Sequence, residues 1–131
     1  MPVALPLTSF IALPMTILMV GLAYRVAILR RKNKIGIGVS SNKTLAKAMA
    51  AHSNAVENIP LALILFALAE FQGANVVLLS ACAVVFVTAR CLNALGVSQH
   101  AGNSFGRFYG IILNWMVIIL LAFTNLWLNL L

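Results

Sequence analysis

The sequence predicts an all-α integral membrane protein: a four-helix bundle forming one domain over residues 1–131. Two observations carry that prediction. Of the 131 residues, 63% are hydrophobic and only 8% are charged, too few charges to solvate the surface of a soluble domain of this length. The apolar residues also fall into four long stretches separated by short polar joints, and a helix needs about 20 residues to cross the hydrocarbon.

The first helix is expected at about 4–29. Pro6 sits in its first turn, where a missing amide is tolerated, and Pro14 predicts a kink whose freed carbonyl must be met by a neighbouring helix. A cleaved secretory signal is the rival reading of this segment. No basic residue precedes the apolar run, however, and the run is longer than a usual signal core, so it is read as a span. The second helix is expected at about 44–70 and the third at about 75–95. The joint from Phe71 to Ala74 leaves room only for an antiparallel hairpin. The fourth is expected at about 107–131, after a turn at Gly102-Asn103-Ser104-Phe105-Gly106.

Charge placement predicts the orientation. Arg25, Arg30, Arg31, Lys32, Lys34, Lys43 and Lys47 surround the first joint, and Arg90 and Arg107 flank the third. The second has no basic residue and borders Glu70. By the positive-inside rule the first and third joints face the cytoplasm and both termini face the periplasm. Topology signalling and ordinary contact with membrane lipid headgroups account for the net charge of +7, and no nucleic-acid partner is inferred. Cys82 and Cys91 lie on opposite faces of one helix, roughly 13 Å apart along it, so they cannot pair there; without a CxxC or a nearby carboxylate, no metal site is expected.

Within the apolar background, His52-Ser53-Asn54-Ala55-Val56-Glu57-Asn58-Ile59-Pro60 stands out. An ionised carboxylate inside a bundle is costly unless a partner, ligand or water satisfies it, so an intramembrane acid marks a functional site by default. At about 100° per residue, Lys43, Lys47, Ala50, Ser53, Asn54 and Asn58 fall within about 100° of Glu57 and form one stripe, whereas His52 lies about 140° away. Pro60 predicts a bend beneath this run, with or without a binding role. Arg90 and Asn93, three residues apart, share a face of the third span. Turned inward, Arg90 is the expected counter-ion of Glu57; turned outward, it extends to the headgroups. Arg107 and Tyr109 open the fourth span at the same depth, Tyr109 with the alternative of a place in the interfacial aromatic belt. A pocket walled by Arg90, Asn93, Arg107 and Tyr109 and floored by Glu57 would select an anionic guest.

These residues resemble a known family. His52-x-Asn54-x-x-Glu57-x-x-Pro60, preceded by Gly36-Ile37-Gly38 in a basic joint and followed by Arg90-x-x-Asn93-x-x-Gly96 and Arg107, is similar to the MAPEG superfamily, the membrane-associated proteins in eicosanoid and glutathione metabolism. The likeness is closest to its bacterial branch and spans nearly the whole chain. It implies a homotrimer in a bacterial inner membrane, with glutathione bound between subunits near the cytoplasmic face. It further implies that Asn54 and Glu57 hold the amino end of the tripeptide and that Arg30 and Arg90 hold its carboxylates. Asn93 joins the binding set, and Arg107 lies close to the sulfur with Tyr109 as a hydroxyl helper. A guanidinium beside a thiol of reference pKa about 8.5 favours the thiolate, which can attack a small hydrophobic electrophile dissolved in the bilayer.

Ala50 and Ser53 stand where family members carry arginines, Asn93 where His is common, and Val97 where some have an aromatic residue, so the site holds fewer cations. Lys47, one turn before Ala50, supplies a point charge but not a bidentate contact. Two functions therefore stand side by side: a glutathione transferase or peroxidase, and a non-catalytic trimer that binds a lipid or an anion, since the superfamily contains a lipid-binding member without glutathione chemistry. A small proton-coupled exporter fits less well, because such exporters carry their essential acid in the first helix and Glu57 lies in the second beside a dense field of cations.

Overall fold

The computed structural model describes residues 4–99 and 104–130. They form four helices, α1 (Pro6–Asn33), α2 (Lys43–Phe71), α3 (Val76–Gln99) and α4 (Phe105–Leu130), each long and apolar enough to cross a membrane. Against the expected bounds, the extra turns lie at the end carrying the basic loop: α1 continues past Leu29 to Asn33, α3 past Leu95 to Gln99, and α4 begins at Phe105. Hydropathy stops where the hydrocarbon stops, but backbone hydrogen bonds continue into the polar layer. Cations in the last turn of α1, Arg30, Arg31 and Lys32, favour that continuation by complementing the helix dipole. Of the turn expected at 102–106, Gly102 and Asn103 lie outside the described residues, as does the final residue of the fourth span, while Phe105 and Gly106 already belong to α4.

Each helix start is held by a side chain. Asn42 Oδ1 accepts from the amide of Leu45 at 2.9 Å to open α2, Asn75 Oδ1 accepts from Val77 and Leu78 to open α3, and Ser104 Oγ accepts from Arg107 at 3.3 Å to open α4. α1 has no local cap. Instead Glu70, at the end of α2, accepts from the amides of Leu7 and Thr8, each at 2.8 Å, and from the Thr8 hydroxyl at 2.7 Å. A carboxylate thus meets the positive end of the α1 dipole and ties the hairpin's far end together. α2 ends at a tight reversal in which Gly73 has φ 77°, a left-handed conformation that suits glycine.

α2 touches all three other helices; α3 packs most extensively on α4 and α1 on α2, and among the described residues α1 and α4 do not meet. Lipid tails are as apolar as leucine, so apolar burial cannot by itself pair these helices, and small residues that admit close approach take over. On α2 the core face carries Ala48, Ala51, Ala55, Ala62 and Ala69, with Ile59 and Phe66, all buried. Phe66 meets Phe86 of α3 edge-on at 5.9 Å. Between α3 and α4 the approach is closer: a Cβ at Gly110 would lie 2.8 Å from both the Ala89 carbonyl oxygen and the Asn93 nitrogen. That contact sets Asn93 against the start of α4.

Candidate functional site

Five polar side chains from three helices meet inside the bundle. Arg90, fully buried on α3, donates from Nη2 to Asn54 Oδ1 of α2 at 2.8 Å. One turn further along α2, Asn58 donates from Nδ2 to the Asn54 carbonyl, and its Oδ1 accepts from Asn114 Nδ2 of α4, each at 2.8 Å. Asn93 donates to the Arg107 carbonyl at 3.1 Å, joining α3 to the first turn of α4. Two buried donors, Arg90 Nε and Nη1, and two buried acceptors, Asn93 Oδ1 and Asn114 Oδ1, have no hydrogen-bond partner among the described residues. Buried polar atoms seldom stay unpaired, so these four retain capacity for further partners.

A cavity of about 180 Å³ opens beside this network. Its polar wall is Asn54, Asn93 and Arg107, and its apolar wall includes Ala50, Val97 and Phe108. Three residues singled out in the sequence are thereby brought together from three helices. Asn93, almost wholly buried, presents an unpaired acceptor there, and Arg107 supplies a cation at the exposed rim. Arg90 stands behind Asn54 rather than in the cavity wall. The volume is below the roughly 300–1,000 Å³ of ordinary small-molecule sites.

The inward pair expected between Glu57 and Arg90 is not made. The buried face of α2, through Ala51, Ala55, Ile59, Ala62 and Phe66, is centred about 160° around the helix from Glu57. Glu57 is therefore exposed on the outward face, and Asn54 and Asn58 at the edge of the stripe turn toward the core. Arg30 does not reach the cavity either. Its Nη1 donates to the carbonyls of Ile35, Gly36 and Gly38 at 3.1–3.4 Å, pinning the loop after α1. Tyr109 is half exposed and meets Phe105 at a tilt and Phe108 edge-on, ring centroids 4.4 and 5.3 Å away, outside the cavity lining. That placement suits an interfacial aromatic cluster.

Asn114 and the capping role of Glu70 were not legible as site features. A lone asparagine in the middle of the apolar α4 was the available signal, since an amide at membrane depth needs a partner. The inward face of α2 was also marked, by its alanines at small-residue spacing rather than by its polar stripe.

A family profile described as MAPEG family matches residues 8–127 of this chain. Among curated proteins, the chain is 27% identical over 111 residues to "Inner membrane protein YecN" of Escherichia coli strain K12, a match covering 85% of this chain and 83% of that protein. The protein of the same name from Escherichia coli O6:H1 strain CFT073 matches equally.

Proposed function

The chain belongs to the MAPEG family, and from that premise we propose that it is an inner membrane protein that binds glutathione at a subunit interface and acts as a glutathione transferase or peroxidase on hydrophobic electrophiles. The observation that carries this reading is the cavity in which Asn54, Asn93 and Arg107 converge. Arg107 would hold an anionic group and favour the thiolate of the bound thiol; Asn93 Oδ1 would accept from an ammonium or amide N–H; Asn54 would keep Arg90 in place behind both. The basic-loop end of the bundle faces the cytoplasm in this reading, as the positive-inside rule requires.

The position of Glu57 supports assembly. α2 has 29 residues and is about 43 Å long, so whichever 30 Å or so of it is immersed, its midpoint at Glu57 stays within the hydrocarbon. An outward carboxylate at that depth is strongly unfavourable against lipid and acceptable against another protein surface or an enclosed ligand. A homotrimer of this chain would cover it, place it beside a neighbour's half of the site, and enlarge a cavity too small for a tripeptide.

Isothermal titration of the purified protein with glutathione tests the reading. Saturable binding weakened at least tenfold by Arg107→Ala and by Glu57→Gln is the expected result; no binding at millimolar glutathione overturns it. Mass measurement in detergent tests the assembly. A second reading, a non-catalytic trimer binding a lipid or an anion, is favoured by Ala50, whose small side chain leaves one wall of the cavity without a cation. Turnover of a generic aromatic electrophile with glutathione separates the two.

A further inference from the structure

Between α1 and α3, on the outer surface of the bundle and away from the cavity above, runs a groove of about 430 Å³. Leu18, Leu22, Cys91 and Leu95 line its length, and Arg25 and Ser98 lie at one end. Because α1 and α3 run in the same direction, depth can be read along both. Arg25 stands about 29 Å from Pro6 and Ser98 about 33 Å from Val76, which puts both at the hydrocarbon boundary when the far ends of the helices rest at the opposite one. Leu18, Leu22 and Cys91 lie about 18–24 Å along, within the acyl layer.

Arg25 is half-buried, and no hydrogen bond or ion pair to it is found among the described residues. The chain has only two acidic residues to offer it. Glu70 is bonded to the start of α1 at the opposite end of the bundle, and Glu57 lies on the outward face of α2. No acid of the chain is bonded to Arg25, so a counter-charge at headgroup depth comes from outside the chain, and the apolar groove directly below has room for a chain attached to it.

We propose that the α1–α3 groove is a binding site for one anionic phospholipid, its phosphate on Arg25 and Ser98 and an acyl chain along Leu18, Leu22, Cys91 and Leu95. The guanidinium fork suits phosphate oxygens, and the Ser98 hydroxyl adds a donor beside it. A single interfacial arginine confers a preference for an anionic over a zwitterionic lipid of about fivefold. This site is independent of the proposed glutathione site, with which it shares no residue.

Native mass spectrometry of the whole protein, released from mixed micelles containing phosphatidylglycerol or phosphatidylcholine, tests the proposal. The expected result is one retained phosphatidylglycerol per chain, favoured about fivefold, with the preference lost in Arg25→Gln and kept in Arg25→Lys and in Lys32→Gln. Equal retention of the two lipids, a preference that survives Arg25→Gln, or one equally abolished by Lys32→Gln overturns it. A measurement on the unaltered chain guards against misfolded variants: phosphatidylglycerol slows maleimide alkylation of the exposed Cys91, and glycerol phosphate, a headgroup without chains, does not. A Cys91 already shielded without added lipid in an oligomer would assign the groove to a second copy and overturn the proposal.

Discussion

Removing the two ends of the Arg90–Asn54 bond should have opposite consequences. Arg90 is fully buried, gives one N–H to Asn54 Oδ1 at 2.8 Å, and keeps Nε and Nη1 unpaired. Arg90→Met retains a long unbranched side chain while losing one charge-assisted hydrogen bond, worth about 1.5–3 kcal/mol, and deleting two unsatisfied donors that cost about 1–3 kcal/mol each. Taken together these terms run from a loss of about 1 kcal/mol to a gain of about 4.5 kcal/mol, with a net gain at the midpoint. Asn54→Ala instead strips the buried guanidinium of its partner and should destabilise the bundle by about 2–4 kcal/mol. Reversible unfolding in mixed sodium dodecyl sulfate micelles, followed by circular dichroism, orders the two variants. Arg90→Met proving less stable than Asn54→Ala would refute the reasoning, because it would mean that Nε and Nη1 are satisfied in the membrane by groups beyond this chain.

Four further outcomes follow from the packing. Glu70→Gln should weaken the cap on α1 by about 1–2 kcal/mol, since an amide cannot accept from Leu7 and Thr8 through two charged oxygens; faster hydrogen exchange at those two amides is the readout. Gly110→Ala should destabilise the α3–α4 pair by about 1–3 kcal/mol, its new Cβ pressing on the Ala89 carbonyl and Asn93. Gly21→Ala, with nothing within 4 Å, should stabilise α1 by about 0.5–1 kcal/mol. A double-mutant cycle of Asn58→Leu and Asn114→Leu should give a coupling of about 0.5–2 kcal/mol in unfolding experiments; additivity within about 0.3 kcal/mol would show that the bond contributes nothing.

Part of the candidate site is readable in the sequence. Asn54, Asn93 and Arg107 follow from polar residues recurring at one depth in three spans, and the structure brings them to one cavity. The family likeness places Arg30 among the ligands of the guest, and in the structure its Nη1 donates to three loop carbonyls. Glu57 departs more sharply from its expected place. A polar stripe on an intramembrane helix predicts a face turned to the interior of its own bundle, and the stripe instead divides, with Asn58 turned inward and Glu57 outward.

By itself, the amino-acid sequence determined four membrane-length helices and the short joints between them, because length and hydropathy are local properties. Tertiary structure alone decided which side of each helix meets its neighbours, and hence that Arg90 bonds Asn54 rather than Glu57 and that Asn58 meets Asn114. The physical reason is the solvent. In water, apolar side chains mark the inside, but in a bilayer lipid is as apolar as the core, so inward and outward faces differ only in how closely small residues let backbones approach and in which polar groups find partners.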